Sequence, residues 1–280
     1  MLAEFKQTLR RLRGQIIGWA VGVGIYGFLM SFFYPSMVEM GDMTEDFIAL
    51  FPEAVLAFFE NIYFISTPMG YLDVYYFSYM HLIIGILAVS AGAGLLAADE
   101  EKGVLDLVLA HPVSRSGLFF GRLLALATAL IFILTVSWLS WVLPSGSVEL
   151  VLNPVELLRP FLPLLGVLFL FAATALFLSM VLPAARQAGM LTGALLVGNY
   201  LLLGLSNISD ELEPVVKYTP LYYYQGGTAV DGLNGNWLAG LLAAALLLAA
   251  AAWLLFLRRD IRVGGERSWN LPSLSRRRSS

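Results

Sequence analysis

Few side chains in this sequence are suited to catalysis or metal binding. The two histidines, His81 and His111, fall on opposite sides of the membrane spans predicted below, so they cannot share a metal ion. Leu82 follows the first and Pro112 follows the second, which excludes the H-E-x-x-H zinc motif. We expect each histidine to be satisfied by its local surroundings. The sequence therefore predicts no catalytic residue and no metal site.

Nucleotide chemistry is also missing from this chain. A phosphate-binding P-loop needs Gly-Lys followed by Ser or Thr, whereas the three lysines follow Phe5, Glu101 and Val216. There is no cysteine, which excludes disulfides, thiolate metal sites and cysteine nucleophiles. We predict that the chain is not an enzyme and holds no cofactor. If ATP drives it, another chain hydrolyses the ATP.

The most informative polar segment begins with three consecutive acids: Asp99, Glu100 and Glu101. A short helical pattern follows, with one apolar face: Leu105, Val108 and Leu109. Pro112 ends this pattern because it lacks a backbone N–H. A solvent loop has little use for an apolar stripe, whereas a helix that docks into a groove of another protein needs one. The segment predicts a docking helix over 103–110; an amphipathic loop helix without a partner is the alternative.

Composition indicates a polytopic membrane protein. Hydrophobic residues make up 59% of the 280, and charged residues only 13%, against about 25% in soluble domains. The predicted fold is all-α, with six apolar runs of bilayer length. These spans are 14–34, 78–98, 118–143, 159–182, 188–206 and 237–257.

The segments outside the spans differ in character. Residues 1–13 alternate apolar and basic side chains at helical spacing, which predicts an interfacial helix before the transmembrane domain of 14–262. Residues 263–280 form a basic tail that we expect to be disordered. Three glycines spaced by four, Gly14, Gly18 and Gly22, favour close helix packing, either within one subunit or at a dimer face.

The distribution of basic residues predicts the orientation of the chain in the membrane. With both termini in the cytoplasm, all but two of the 17 Lys and Arg residues lie inside; Arg159 and Lys217 are the exceptions. Cytoplasmic loops carry such an excess of Lys and Arg. The largest outer segment, 35–77, contains no Lys or Arg, and its role is not predicted.

The interiors of the spans contain no Asp, Glu or Lys, which argues against a carrier coupled to ions. Weakly polar side chains are the candidate substrate path: Asn199, Thr135 and Ser90. Such groups often bond only to the backbone of their own helix, which is the alternative. A candidate outer gate is Tyr222, Tyr223 and Tyr224, although aromatic residues also anchor helices at membrane interfaces.

The loop after the second span resembles the coupling loop in permeases of the type-2 ABC transporter family. The matching residues are 101–107, then 111–115, then Gly121-Arg122 at the start of the next span. Val104 stands where Thr is usual, and His111 stands where Thr or Ser is usual. Residues 67–72 resemble the antibiotic-exporter branch, and 217–232 resemble a segment that precedes the last span in many members.

The resemblance implies a membrane permease that exports a drug- or antibiotic-like, hydrophobic or amphipathic substrate from a bacterial or archaeal cell. Its partners would be ABC ATPase subunits, which hold ATP and Mg²⁺, and a second permease in a homodimer or heterodimer. The implied contacts with the ATPase are Glu100, Glu101, Gly103, Leu105, Leu107, Val108, Leu109, Pro112 and Arg115. Alternatives are a sodium or lipid exporter of the same family, a secondary transporter outside it, and a membrane anchor that recruits an ATPase.

Overall fold

The computed structural model of the chain describes residues 1–39, 41, 48–59, 61–105, 108, 114–148, 150 and 153–259. This part of the chain is helical and contains no strand, which confirms the all-α fold. The six helices long and apolar enough to cross a membrane are α1 Leu2–Glu39, α2 Ser78–Glu101, α3 Arg115–Ser145, α4 Phe161–Val181, α5 Ala185–Ser206 and α6 Gly235–Arg258. Shorter helical pieces are Glu53–Leu56, Ile62–Phe64, Pro68–Leu72, Asp73–Phe77, Pro154–Leu158, Asp210–Leu212, Glu213–Val216, Pro220–Tyr223 and Gly226–Val230.

All six predicted spans are confirmed as helices, with two differences at their ends. Residues 2–13 continue directly into the first span, so α1 is one helix instead of an interfacial helix followed by a span. No proline interrupts it before Pro35, and Gly14 alone does not break a helix. The second span is preceded without a gap by Pro68–Leu72 and by a π-helix, Asp73–Phe77. The predicted tail, 263–280, lies outside the described residues.

The second and fourth spans form the middle of the bundle. Helix α4 packs against α2 and α6, α5 packs against α2 and α4, and α1 packs mainly against α3. The apolar windows of α2 and α4 are each 67% buried, whereas those of α1 and α5 are each 22% buried. A displacement of α2 therefore reaches the centre of the molecule.

Successive spans run in alternating directions, so the bundle has two chemically distinct ends. We call one the basic end: it holds the N-terminus, the α2–α3 and α4–α5 connections and the end of α6. We call the other the acidic end. Of the described Lys and Arg residues, only Arg159 and Lys217 belong to the acidic end. The basic connections that the sequence predicts to be cytoplasmic therefore lie at one end of the bundle.

Candidate functional site

The second span ends in a turn that requires glycine. Helix α2 ends at Glu101, and Gly103 has a φ of 65°, in the left-handed region. The N–H of Gly103 donates to the carbonyl of Glu100 at 3.0 Å, and the N–H of Val104 donates to that of Asp99 at 2.9 Å. These two bonds form a Schellman motif, which satisfies the free carbonyls of a helix end. The turn gives the α2–α3 connection a defined start.

After the turn, the chain packs against its own core. Leu105 is 1% exposed and belongs to the main hydrophobic core. Val108 donates its N–H to the carbonyl of Val104 at 3.1 Å, and its side chain packs on the same core. The sequence predicts that Leu105 faces a partner protein, whereas in the structure the bundle itself buries this side chain. The neighbouring Val104 is 41% exposed and presents an apolar side chain at the surface. Three other predicted contacts lie outside the described residues: Leu107, Leu109 and Pro112.

Asp99, the first of the three acids, joins α2 to α1 and α3. Nη1 of Arg11 donates to both carboxylate oxygens of Asp99, at 2.9 and 2.7 Å. Nη1 of Arg122 lies 2.7 Å from Oδ2 of the same carboxylate and donates to the carbonyl of Leu95 at 2.8 Å. Nε of Arg122 is 3.8 Å from the carboxylate of Glu4. Buried charges persist when they are paired, so this network fixes the position of α1 and α3 relative to α2.

Glu100, the second acid, connects α2 with the ends of α4 and α6. Its Oε1 accepts a hydrogen bond from Nε of Arg259 at 3.2 Å. Nη1 of Arg259 donates to the carbonyls of Ser179 and Met180, at 3.2 and 2.9 Å, in the last turn of α4. These carbonyls have no partner within their helix and carry partial negative charge, so a guanidinium stabilises them.

Glu101 and Arg115 cap two further helix ends. Oε1 of Glu101 accepts the N–H of Ala185, the first residue of α5, at 2.6 Å. The residue that precedes α5, Ala184, has no side-chain acceptor for this purpose. Arg115 donates through Nη1 to the carbonyl of Arg259 at 2.7 Å and so closes the end of α6. Each helix end is therefore capped by a side chain from another helix.

We call Asp99, Glu100 and Glu101 the acid triplet. These acids connect α2 directly with α1, α3, α5 and the end of α6, and with α4 through Arg259. Among the described residues the triplet faces arginines and a backbone N–H, an arrangement suited to transmitting motion rather than to acid–base catalysis. The predicted ATPase contacts Glu100 and Arg115 make their contacts inside this chain. Sequence reasoning missed four of the ion-pair partners: Glu4, Arg11, Arg122 and Arg259. The sequence did contain a signal for them: each is a charged residue within or beside an apolar run. A charge buried at such a position requires a partner of opposite charge.

At the acidic end, the three predicted gate tyrosines have different surroundings. The rings of Tyr222 and Tyr223 pack on Trp237, with centroids 6.0 and 5.7 Å away. The hydroxyl of Tyr224 instead donates to the carbonyl of Phe77 at 3.0 Å. Burial and the nearby Asp73 carboxylate raise the pKa of Tyr224 well above its ordinary value, so this hydroxyl stays protonated. Tyr224 is the one of the three that reaches the second span.

His81 fits the expectation drawn from the sequence only in part. It is 2% exposed, and neither ring nitrogen makes a hydrogen bond of good geometry. The carbonyl of Phe77 lies within reach of the ring and also accepts from the hydroxyl of Tyr224. One local group therefore serves one side of the ring, and the other ring nitrogen has no partner among the described residues. His111 lies outside the described residues.

The three residues of the predicted substrate path are not brought together. Each donates to a carbonyl of its own helix: Ser90 to Leu87 at 3.2 Å, Thr135 to Ile131 at 2.8 Å, and Asn199 to Leu195 at 2.7 Å. They stand on three different helices: Ser90 on α2, Thr135 on α3 and Asn199 on α5. The structure agrees with the alternative that these polar groups serve their own helix backbone.

The spaced glycines lie on an open face of α1. A Cβ added at Gly14, Gly18 or Gly22 would meet no atom within 4 Å. Gly18 and Gly22 line an apolar groove of about 440 Å³ between α1 and α2, together with Trp19 and Met80. Close packing within one subunit, the first of the two predicted roles, is therefore not what these glycines do in the described part of the chain.

Comparison with known proteins identifies the type of molecule. The family model described as "ABC-2 family transporter protein" matches residues 2–261, which is nearly the whole chain. The search of curated proteins found no match to this chain. The matched range includes all six long helices, the acid triplet and the segments of the acidic end.

Proposed function

The chain belongs to the ABC-2 family of transporter proteins and is a type-2 ABC permease, and we propose that it exports a hydrophobic or amphipathic, drug- or antibiotic-like substrate. Permeases of this family are the membrane components of transport and work with an ABC ATPase. In this proposal, ATP and Mg²⁺ bind to two separate ATPase subunits. The observation that carries the proposal is the acid triplet, which links α2 with the other five spans directly or through Arg259.

The ATPase would seat on the turn that follows the triplet. Glu101, Lys102 and Val104 are exposed there, beside a Gly103 backbone that holds the turn in one shape. Closure of two ATPases on ATP would press this turn against the end of α2. Because Asp99 pairs with both Arg11 and Arg122, the displacement would pass to α1 and α3 and end in opening of the acidic end.

This mechanism requires the basic end to face the cytoplasm. The concentration of Lys and Arg at that end supports this orientation, because membrane proteins retain basic segments on the cytoplasmic side. Both termini would then be cytoplasmic, and the acidic end would face the outside of a bacterial or archaeal cell.

A second permease would complete the transporter, as a homodimer or a heterodimer. The support is the open glycine face of α1, where the groove beside Gly18 and Gly22 is wide enough to receive side chains of another helix. Helices pack most closely through small residues spaced by four. The groove is also apolar, in keeping with a hydrophobic or amphipathic substrate that moves between the two permeases.

The test is purification of the tagged permease from its host in mild detergent, with identification of the proteins that accompany it. We expect a Walker-motif ATPase in stoichiometric amount. Val104→Asp should remove it, because a charge would replace the apolar side chain on the docking surface. Val215→Asp is the matched control, since Val215 is 52% exposed but lies at the acidic end.

Transport assays separate this proposal from its alternatives. ATPase activity that rises with an amphipathic drug, and not with sodium ions or phospholipid, would support drug export. ATPase activity that responds to none of them would indicate a membrane anchor. Transport by the permease alone, in liposomes without ATP, would contradict the proposal and indicate a secondary transporter.

A further inference from the structure

The acidic end contains a small polar cavity that the transport proposal does not use. Its volume is about 70 Å³, and it lies between the start of α2, the end of α5 and the segment before α6. A buried water needs roughly 10–15 Å³ measured in this way. The cavity can therefore hold a few waters or one small polar head group.

A buried carboxylate without a cationic partner lines this cavity. Asp73 is 6% exposed, and it accepts the amide of Asn61 at 2.7 Å and the N–H of Gly227 at 2.6 Å. None of the ion pairs formed by the described residues includes it. At this end Lys217 pairs with Glu213, and Arg159 donates to a backbone carbonyl. A carboxylate has about four acceptor positions, so Asp73 retains acceptor capacity beyond these two bonds.

His81 lines the same cavity with both nitrogens free of standard hydrogen bonds. A neutral imidazole offers one donor and one acceptor. The donor can reach the carbonyl of Phe77, but the acceptor nitrogen has no partner among the described residues, which costs free energy in a buried site. A ligand that donates hydrogen bonds would relieve that cost. His81 and Asp73 thus give the cavity two side chains with unmet polar capacity.

Aromatic rings form much of the remaining wall. The rings of Tyr200 and Tyr224 lie 5.5 and 5.1 Å from the ring of His81, and the ring of Phe58 lies 5.3 Å from that of Tyr200. All of them line the cavity. A cation within about 6 Å of an aromatic face is attracted to it. Aromatic walls around a carboxylate are the usual environment for an organic ammonium group.

The backbone at this site is also irregular. Asp73–Phe77 is a π-helix in the middle of an otherwise regular helical segment, and Gly226 has a φ of 53° directly against the Asp73 carboxylate. Single turns of π-helix occur often at functional sites. Among the described residues, no group of three His, Cys, Asp or Glu side chains could hold a metal ion. The geometry favours an organic cation.

We propose that this cavity binds the ammonium head of an amphiphile, held by Asp73 and His81 and enclosed by Phe58, Tyr200 and Tyr224. That the amphiphile is a transported substrate rests on the proposed function; the binding itself does not. The same chemistry is present in a free alkylamine and in the head group of an aminophospholipid. The experiment below distinguishes these two sources.

The test is calorimetric titration of the full-length permease, without ATPase, in nanodiscs of phosphatidylglycerol. Hexylammonium chloride is the probe, hexan-1-ol is the neutral control, and empty nanodiscs give the background. We expect hexylammonium to bind about tenfold or more tightly than hexan-1-ol. Equal binding of the two probes would overturn the proposal, because the site would then recognise only the alkyl chain.

Two variants and one control locate the site. Asp73→Asn should lower hexylammonium affinity by about tenfold, since it removes the charge. Asp210→Asn removes an exposed carboxylate from the same end and should leave the affinity unchanged. If Asp73→Asn fails to fold, Tyr200→Leu keeps the carboxylate and should still weaken binding. Unchanged affinity in Asp73→Asn, or in Tyr200→Leu where that variant is used, would contradict the site.

A further arm identifies the source of the ammonium group. Nanodiscs that contain phosphatidylethanolamine should bind hexylammonium more weakly if a lipid head group occupies the cavity, and equally well if the occupant is a solute. This result is separable from the proposed function. Failure of ammonium binding would leave ATPase association intact, whereas an absent ATPase would not alter a titration done on the permease alone.

Discussion

The two ends of the bundle treat buried charge in opposite ways. At the basic end, Asp99 lies between two arginines and Glu100 contacts a third. At the acidic end, Asp73 contacts only neutral donors, and His81 makes no hydrogen bond of standard geometry. Opposite charges balance one another at the basic end, although Nε of Arg122 makes no hydrogen bond to the described residues, whereas the acidic end retains polar capacity for a ligand.

The two ends also differ in the regularity of their backbone. At the basic end, regular helices stop at defined residues, and side chains from neighbouring helices cap them, as Arg259 does for α4. At the acidic end, the connections are built from short helical pieces, and one of them is a π-helix. The basic end is thus closed by side-chain caps between long helices, whereas the acidic end is built from short helical pieces.

The largest expected effect tests whether pairing holds the basic end together. Arg122 is 3% exposed, and its loss would leave the buried carboxylates of Asp99 and Glu4 with less positive charge. Removal of one partner from a buried ion pair costs about 3–5 kcal/mol. We expect Arg122→Met to lower the free energy of unfolding by about that amount, measured by denaturant titration in detergent.

Two further variants control this experiment. Arg186→Met removes an exposed arginine from the same end and should have little effect. The double variant Asp99→Asn with Arg122→Met should be more stable than Arg122→Met alone, because it also removes a buried carboxylate that has lost one of its two arginine partners. A double variant that is less stable than the single one would mean that Asp99 matters mainly through Arg11.

Alanine substitutions at two glycines allow the two ends to be compared directly. Gly103 at the basic end and Gly226 at the acidic end both have positive φ, at 65° and 53°. Alanine in that region costs about 1–2 kcal/mol. A Cβ at Gly226 would also lie 2.8 Å from Oδ1 of Asp73. We expect Gly226→Ala to lower the free energy of unfolding by about 1 kcal/mol more than Gly103→Ala does.

The same two variants can contradict this view of the acidic end. If Gly226→Ala costs no more than Gly103→Ala, the Asp73 carboxylate moves aside without loss, and the cavity is softer than the contacts indicate. Thermal unfolding of both variants in the same detergent gives the comparison. Titration of Gly226→Ala with hexylammonium then shows whether the cavity still has room for a head group.

The fold was predictable because each span is an apolar run of bilayer length bounded by charged or proline-containing segments. The distribution of Lys and Arg was sufficient to assign alternate connections to the same end. The continuity of α1 was less visible, because the basic residues of 1–13 suggested a separate interfacial helix. A change from a basic to an apolar pattern does not itself break a helix; loss of a backbone donor does.

The candidate site was only partly predictable, because its contacts join residues far apart in the chain. The local pattern showed that 99–105 is unusual, but the direction of Leu105 depends on where the other helices leave a space for it. Likewise, Arg259 is distant in sequence from Glu100, and neither residue type indicates the other. The surroundings of His81 were only partly predictable, because the carbonyl next to it also accepts from Tyr224, which is 143 positions further along the chain.

The smallest expected effect concerns the last acid of the triplet. Glu101 caps α5 through one hydrogen bond to the N–H of Ala185. Loss of an N-terminal cap costs about 0.5–2 kcal/mol, so Glu101→Ala should lower the free energy of unfolding by an amount within that range. Glu101→Gln keeps an acceptor oxygen and should change the free energy of unfolding by only about a few tenths of a kcal/mol. Denaturant titration measures both. If Gln is as harmful as Ala, the charge of Glu101 matters more than its hydrogen bond, and the basic end depends on its charges even where the partner is neutral.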